Sequence, residues 1–389
     1  MTDLPPASPA LVNSDPFAPS DRTFASFRAL LGRTFTSVLG FATAVPLLAI
    51  LSAIPVLNLL SLGYLLEAAA RVARSGRIRD GFIGLPQFAA VGIIGLATWI
   101  WTIPIRLTYN FLQDAELIDA GGAVATRLKI FLIVLILGIA LHLVWACLRG
   151  AKWHHFLWPA PLRLLRGLGG TWNFQPILED ASKFFREMRL PHFFRLGALG
   201  FFGAAIWLAL PVMILLVGSA IENPAAAAFV SLLGSLLLAT VVLYLPFLQT
   251  RFAVSGRWGD FFAIRKVREL FPKAPLAFWM ALFVTLLFSL PLYLLKIELT
   301  PKEVAWLPNL FFVLFIFPAR LLTGWSLSRA SFRGTNRSWV ARWAARLAAI
   351  PVVAVYAFVV WLNQYLDWNG ALGLIEQHAF LVPAPLLGL

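Results

Sequence analysis

From Phe35 to Leu66 the chain runs for 32 residues without a charged side chain. As one helix that run would be ~48 Å long, against a bilayer hydrocarbon core of ~30 Å. Further apolar runs occupy 88–107, 130–148, 196–219, 225–250, 275–295, 307–327 and 344–362. Hydrocarbon offers no water to satisfy backbone N–H and C=O groups, so segments like these close their own hydrogen bonds as helices. The prediction is an all-α, polytopic transmembrane helical bundle. Composition agrees: 60% of the 389 residues are hydrophobic and 13% charged, whereas soluble chains lie nearer ~45–50% and ~25%. Pro46 and Pro55 interrupt the first run, which is either one kinked span or a short hairpin, 35–53 and 56–70. The total is therefore eight or nine spans.

The first run ends in Tyr64–Phe82, YLLEAAARVARSGRIRDGF, and this stretch returns 180 positions later as Tyr244–Phe262, YLPFLQTRFAVSGRWGDFF. Without a gap, Tyr64, Leu65, Arg71, Ala73, Ser75, Gly76, Arg77, Asp80 and Phe82 recur as Tyr244, Leu245, Arg251, Ala253, Ser255, Gly256, Arg257, Asp260 and Phe262. Two more landmarks keep the order. Pro104 is matched by Pro291, and Trp145-x-x-x-Arg149 by Trp325-x-x-x-Arg329. Internal repeats are common in membrane transport folds. The expected organisation is a disordered tail (1–34), a first repeat (35–149), an interfacial linker (150–195), a second repeat in parallel orientation (196–343), and a final span with its tail (344–389).

Two segments read as amphipathic helices. In the linker, Leu178, Ala181, Phe184, Phe185 and Met188 share one face, opposite Glu179, Asp180, Lys183, Arg186 and Glu187. Such a helix lies in the interface plane, and Pro191 should end it. In the second repeat, AIRKVRELFPKA lengthens the loop after the motif and reads as a short basic helix.

The net charge is +14. Its cations fall in loops between apolar runs, so anionic lipid headgroups explain them better than nucleic acid does. The basic loops alternate with loops carrying Asp114, Glu116, Asp119, Glu222 and Glu298. By the positive-inside rule the basic set is cytoplasmic. Cys147 is the single cysteine, which excludes an intramolecular disulfide and a multi-cysteine metal site. Residues 1–24 lack the apolar core of a signal peptide.

The candidate functional residues are the polar ones inside apolar spans. Glu67 and Arg320 have no charged counterpart in the other repeat, where Phe247 and Ala140 stand. An isolated intramembrane charge costs at least ~2.5–3.5 kcal/mol. The expectation is that Glu67 and Arg320 pair across the repeat interface. The competing account leaves Glu67 on Arg71, its i+4 neighbour, and lets Arg320 snorkel. His142 stands alone on an apolar span and reads as a hydrogen-bonded packing residue. Within the motif, Arg77 and Asp80 can pair, and Arg71, Arg77, Arg251 and Arg257 are candidate lipid headgroup contacts. His154 and His155 lack a cysteine or acid at ligand spacing. No catalytic, cofactor or metal residue is expected, because nucleotide, zinc-protease and hydrolase motifs are absent from the sequence.

Pro55, Asn58, Gly63 and Tyr64 form a P-x-x-N-x-x-x-x-G-Y pattern. Over residues 54–82 this resembles an uncharacterised bacterial membrane-protein family of the domain-of-unknown-function type. The resemblance implies a multi-pass protein of the bacterial cytoplasmic membrane and adds no catalytic residue. The second copy keeps Tyr244 from this pattern. The expected role is a non-enzymatic, membrane-organising or partner-binding protein whose partners are anionic lipids and a possible membrane protein. Small-solute or lipid transport is the alternative, and lipid modification a second one.

Overall fold

The structure, a computed structural model, describes residues 21–150, 152–158, 175–294 and 306–363. Among them there are twelve α-helices and no strand. They are α1 (Asp21–Ala53), α2 (Asn58–Ser75), α3 (Leu85–Ile118), α4 (Ala123–Leu148), α5 (Trp153–Leu157) and α6 (Gln175–Met188), then α7 (Leu190–Ser219), α8 (Pro224–Ser255), α9 (Ile264–Leu270), α10 (Pro275–Leu294), α11 (Trp306–Ser331) and α12 (Trp339–Asn363).

Seven of these helices are long and apolar enough to cross a membrane, or eight if the bent pair of 264–273 and 275–289 is one span. The bend between those two segments is 117°. Their outer faces are apolar: on α4, Ile133, Val134, Leu137 and Leu141 are all exposed. Such a surface belongs in hydrocarbon. Of the two alternatives for the first apolar run, the structure takes the broken one: α1 ends at Ala53 and α2 starts at Asn58. Between them Val56 has φ 70°, a region that β-branched residues avoid. Two boundaries differ from expectation. Helix α1 reaches back to Asp21, well before Phe35, because no proline separates the two and the single Gly32 is tolerated within a helix. Pro191 lies in the first turn of α7 rather than ending α6, whose stop is Arg189 at φ 50°. Proline is tolerated in a first turn, where its missing N–H has no partner to lose.

Helix α2 is the centre of the molecule. Every residue from Ser61 to Ala70 is buried, and α7, α8, α11 and α1 pack around it. The packing is close because glycines stand at the crossings. A Cβ on Gly63 would lie 1.7 Å from the Phe193 carbonyl oxygen, and one on Gly324 2.2 Å from the Ala69 carbonyl oxygen. Helices α10 and α12 flank α11 and α8, whereas α3 and α4 hang outside α1.

Candidate functional site

The two copies of the motif fold alike locally. Helices α2 and α8 both end at a left-handed glycine, Gly76 (φ 75°) and Gly256 (φ 69°). Each glycine N–H donates to the carbonyl four residues back, on Val72 and Phe252, the αL form of helix cap. Ser75 Oγ then accepts from Arg77 N at 3.2 Å, and Ser255 Oγ from Arg257 N at 3.1 Å. A short 3-10 turn follows in both, 78–81 and 258–262. The later landmark also repeats: Arg149 lies over the Trp145 ring at 5.7 Å and Arg329 over Trp325 at 5.1 Å.

Both turns share one end of the bundle, since Arg74 Nη2 donates to the Ala253 carbonyl at 3.3 Å. The basic segment after the second turn is there too. Arg337 N donates to the Pro272 carbonyl at 2.8 Å, and Arg333 Nη1 to that of Lys273 at 3.4 Å.

At this cation-rich end the first copy buries Glu67. Its carboxylate is 3.4 Å from Arg71 Nε, 3.5 Å from Arg74 Nη2 and 3.3 Å from His192 Nε2. Arg71 and Arg74 come from the following turns of α2, and His192 from the first turn of α7. The carboxylate side chain is 5% exposed, so its charge requires such partners. The expected Glu67–Arg320 pair does not form. Cations on Glu67's own helix reach it first, as in the competing account. Arg320 does not snorkel either: it is 4% exposed and its Nη1 donates to Gln249 Oε1 at 2.8 Å. Gln249 in turn donates from Nε2 to the Gly200 carbonyl at 3.4 Å. A neutral amide from α8 thus links Arg320 to the α7 backbone.

His142 is held at the periphery. Its Nε2 lies 2.8 Å from the Phe156 carbonyl, which can only accept, so the proton is assigned to Nε2. Trp101 Nε1 donates to the same carbonyl at 3.0 Å. These bonds fasten α5 to α3 and α4. The structure therefore brings none of Glu67, His142 and Arg320 together. Within the motif, Asp80 lies 3.9 Å from Arg79 rather than pairing with Arg77. Arg77 and Arg257 are exposed.

Asp260, the counterpart of Asp80, is buried and receives Arg251 Nη2 and Lys266 Nζ, each at 3.3 Å. Burial opposes its ionisation, but hydrogen bonds from Ser255, Lys266 and Arg251 and the Arg251 charge outweigh that. Its carboxyl is held below the ordinary carboxylate value.

Beside Glu67 a 590 Å³ pocket opens between α1, α2, α6, α7 and the start of α3. Leu48, Leu60, Tyr64 and Phe193 form its apolar part, while Arg71, Lys183, Arg186 and Arg189 give it cations and Glu187 an acid. Glu187 accepts from Gln87 Nε2 at 3.0 Å. Arg71 is fixed through Nε on Glu67, and among the described residues its two terminal nitrogens have no partner. Sequence reading missed His192 and Gln249. His192 is one turn beyond the helix break at Arg189, and nothing in the local sequence says which helix it faces. No family model, curated protein or solved structure matches the chain.

Proposed function

We propose that this chain is a non-enzymatic, multi-pass protein of the bacterial cytoplasmic membrane that holds anionic lipid headgroups at its cation-rich end. The pocket beside the first motif carries the reading: an apolar wall topped by Arg71, Lys183, Arg186 and Arg189. That pairing of surfaces suits an amphiphile with hydrocarbon below and negative charge above. Each basic residue near an anionic leaflet contributes about 1 kcal/mol. Glu67 supports the site by fixing the Arg71 guanidinium with its terminal N–H groups unused. By the positive-inside rule this end faces the cytoplasm. We read the chain as two parallel repeats, supported by the matched glycine caps and the matched Trp–Arg stacks. The likeness of residues 54–82 to an uncharacterised bacterial family fits this placement.

The test is lipid retention by the purified protein, measured by native mass spectrometry. Arg71→Gln with Arg186→Gln should lower retained phosphatidylglycerol and leave phosphatidylcholine unchanged. Equal phosphatidylglycerol retention would overturn the reading. A second reading, transport, rests on α2 itself. It is a short buried helix entered through an irregular turn, as discontinuous helices are in transport folds.

A further inference from the structure

A larger groove lies on the other side of the bundle, between α8, α9, α10 and α12, with a volume of 1050 Å³. It exceeds the ~300–1,000 Å³ of ordinary ligand pockets. On α8 its lining runs from Ala228 to Phe247, and on α12 from Ala345 to Trp361. At 1.5 Å per residue these are ~28 and ~24 Å, close to the full ~30 Å of hydrocarbon and well beyond one leaflet. The groove is open sideways, since Leu236, Ile350 and Phe358 on its walls are exposed.

Its charge is confined to one end. Arg268 from α9 and Arg346 from α12 line the groove there. Among the described residues neither has a carboxylate within ion-pair distance. The Arg346 guanidinium is placed by two rings, 5.7 Å from the centre of Phe271 and 5.3 Å from that of Trp343. Trp279 from α10 also lines the groove.

We propose that this groove binds a long-chain isoprenyl phosphate, with its phosphate between Arg268 and Arg346 and its chain along α8 and α12. Two features select that class. The charge is at one end, which suits an anionic head on a single tail. The length exceeds one leaflet, so a diacyl phospholipid would leave the far half unfilled. The site shares no residue with the pocket beside Arg71 and does not depend on it.

The experiment uses the full chain in phosphatidylcholine nanodiscs, with undecaprenyl phosphate as probe and tryptophan fluorescence or native mass spectrometry as readout. Binding should saturate, and Arg268→Gln with Arg346→Gln should weaken it by about tenfold or more. Farnesyl phosphate, with the same head and a short chain, should bind about tenfold more weakly than the long probe. Ala354→Trp should block the long probe and spare farnesyl phosphate. Ala354 is exposed, so this variant is expected to fold even where the arginine pair does not. Arg71→Gln with Arg186→Gln should change nothing here, which separates this site from the headgroup pocket. Three results would overturn the proposal: equal competition by phosphatidylglycerol, loss of both probes in Ala354→Trp, or no saturable binding.

Discussion

The two Ser-Gly motifs share a backbone and differ in chemistry. Both end a helix on a left-handed glycine and turn on a serine hydroxyl that accepts from the arginine N–H two residues on. Yet the matched arginines serve different carboxylates. Arg71 binds Glu67, four residues back in its own helix, and Arg251 binds Asp260, nine residues forward. The first copy buries its acid within α2 and leaves the Asp80 side chain 40% exposed. The second has Phe247 in the helix and buries Asp260 beneath Arg251 and Lys266. Local sequence sets the turn. Which carboxylate is paired depends on which helices cover it, because a buried charge must find a partner. The same divergence extends to the Trp–Arg landmark. It stacks alike on α4 and α11, but α4 is peripheral while α11 packs on α2.

The comparison is broken most severely where the copies cross other helices. Gly63→Ala drives a Cβ into the Phe193 carbonyl and should cost more than ~3 kcal/mol, as strong overpacking does. Its counterpart Leu243 lines the open groove, so Leu243→Ala should cost about 1 kcal/mol. Unfolding of the detergent-solubilised protein compares them, and equal losses would deny that α2 is the more tightly held helix.

Next comes the buried acid. Glu67→Gln should destabilise by roughly 1–2 kcal/mol, reduced from the buried-pair range because Arg71 and Arg74 are partly exposed. A double-mutant cycle with Arg320→Gln should be additive, since the two share no contact. A coupling above ~0.5 kcal/mol would reinstate a Glu67–Arg320 interaction.

Asp260→Asn should cost about 1 kcal/mol at neutral pH. The sign with pH follows from its lowered folded value. The stabilisation is present above the unfolded value of ~3.9 and lost as pH falls through the folded one. Wild type and variant should therefore converge only below about pH 4. Convergence already near pH 6 would show that the Asp260 contacts do not lower its pKa.

The smallest difference between the copies concerns the shared turn. Gly76→Ala and Gly256→Ala each place a Cβ in left-handed backbone, at about 1–2 kcal/mol. Gly76→Ala should be the worse by a few tenths of that. Its Cβ would meet Ser328 Oγ at 3.0 Å, and that of Gly256 meets nothing. A larger loss at Gly256 would mean that the two turns are not equivalent.

The sequence by itself determined the all-helical membrane class, the amphipathic α6, the basic α9, and the glycine caps of both motifs, and it left open whether the run from Phe35 is broken, which the structure decided at Ala53–Asn58. These are local matters: apolar length decides what can lie in hydrocarbon, and a Ser-Gly pair decides where a helix turns. His142 also kept its expected role, since an isolated histidine among apolar residues needs one nearby acceptor and found Phe156. Only the tertiary structure decided that α2 is the fully buried centre, that His192 joins Glu67, and that Gln249 rather than Glu67 meets Arg320. Each depends on how one helix is rotated against another. In a chain this apolar, hydrophobicity scarcely distinguishes a lipid-facing side from a protein-facing one. What fixes the rotation is close packing at small residues such as Gly63 and Gly324, and a glycine in the sequence does not say which carbonyl it will approach.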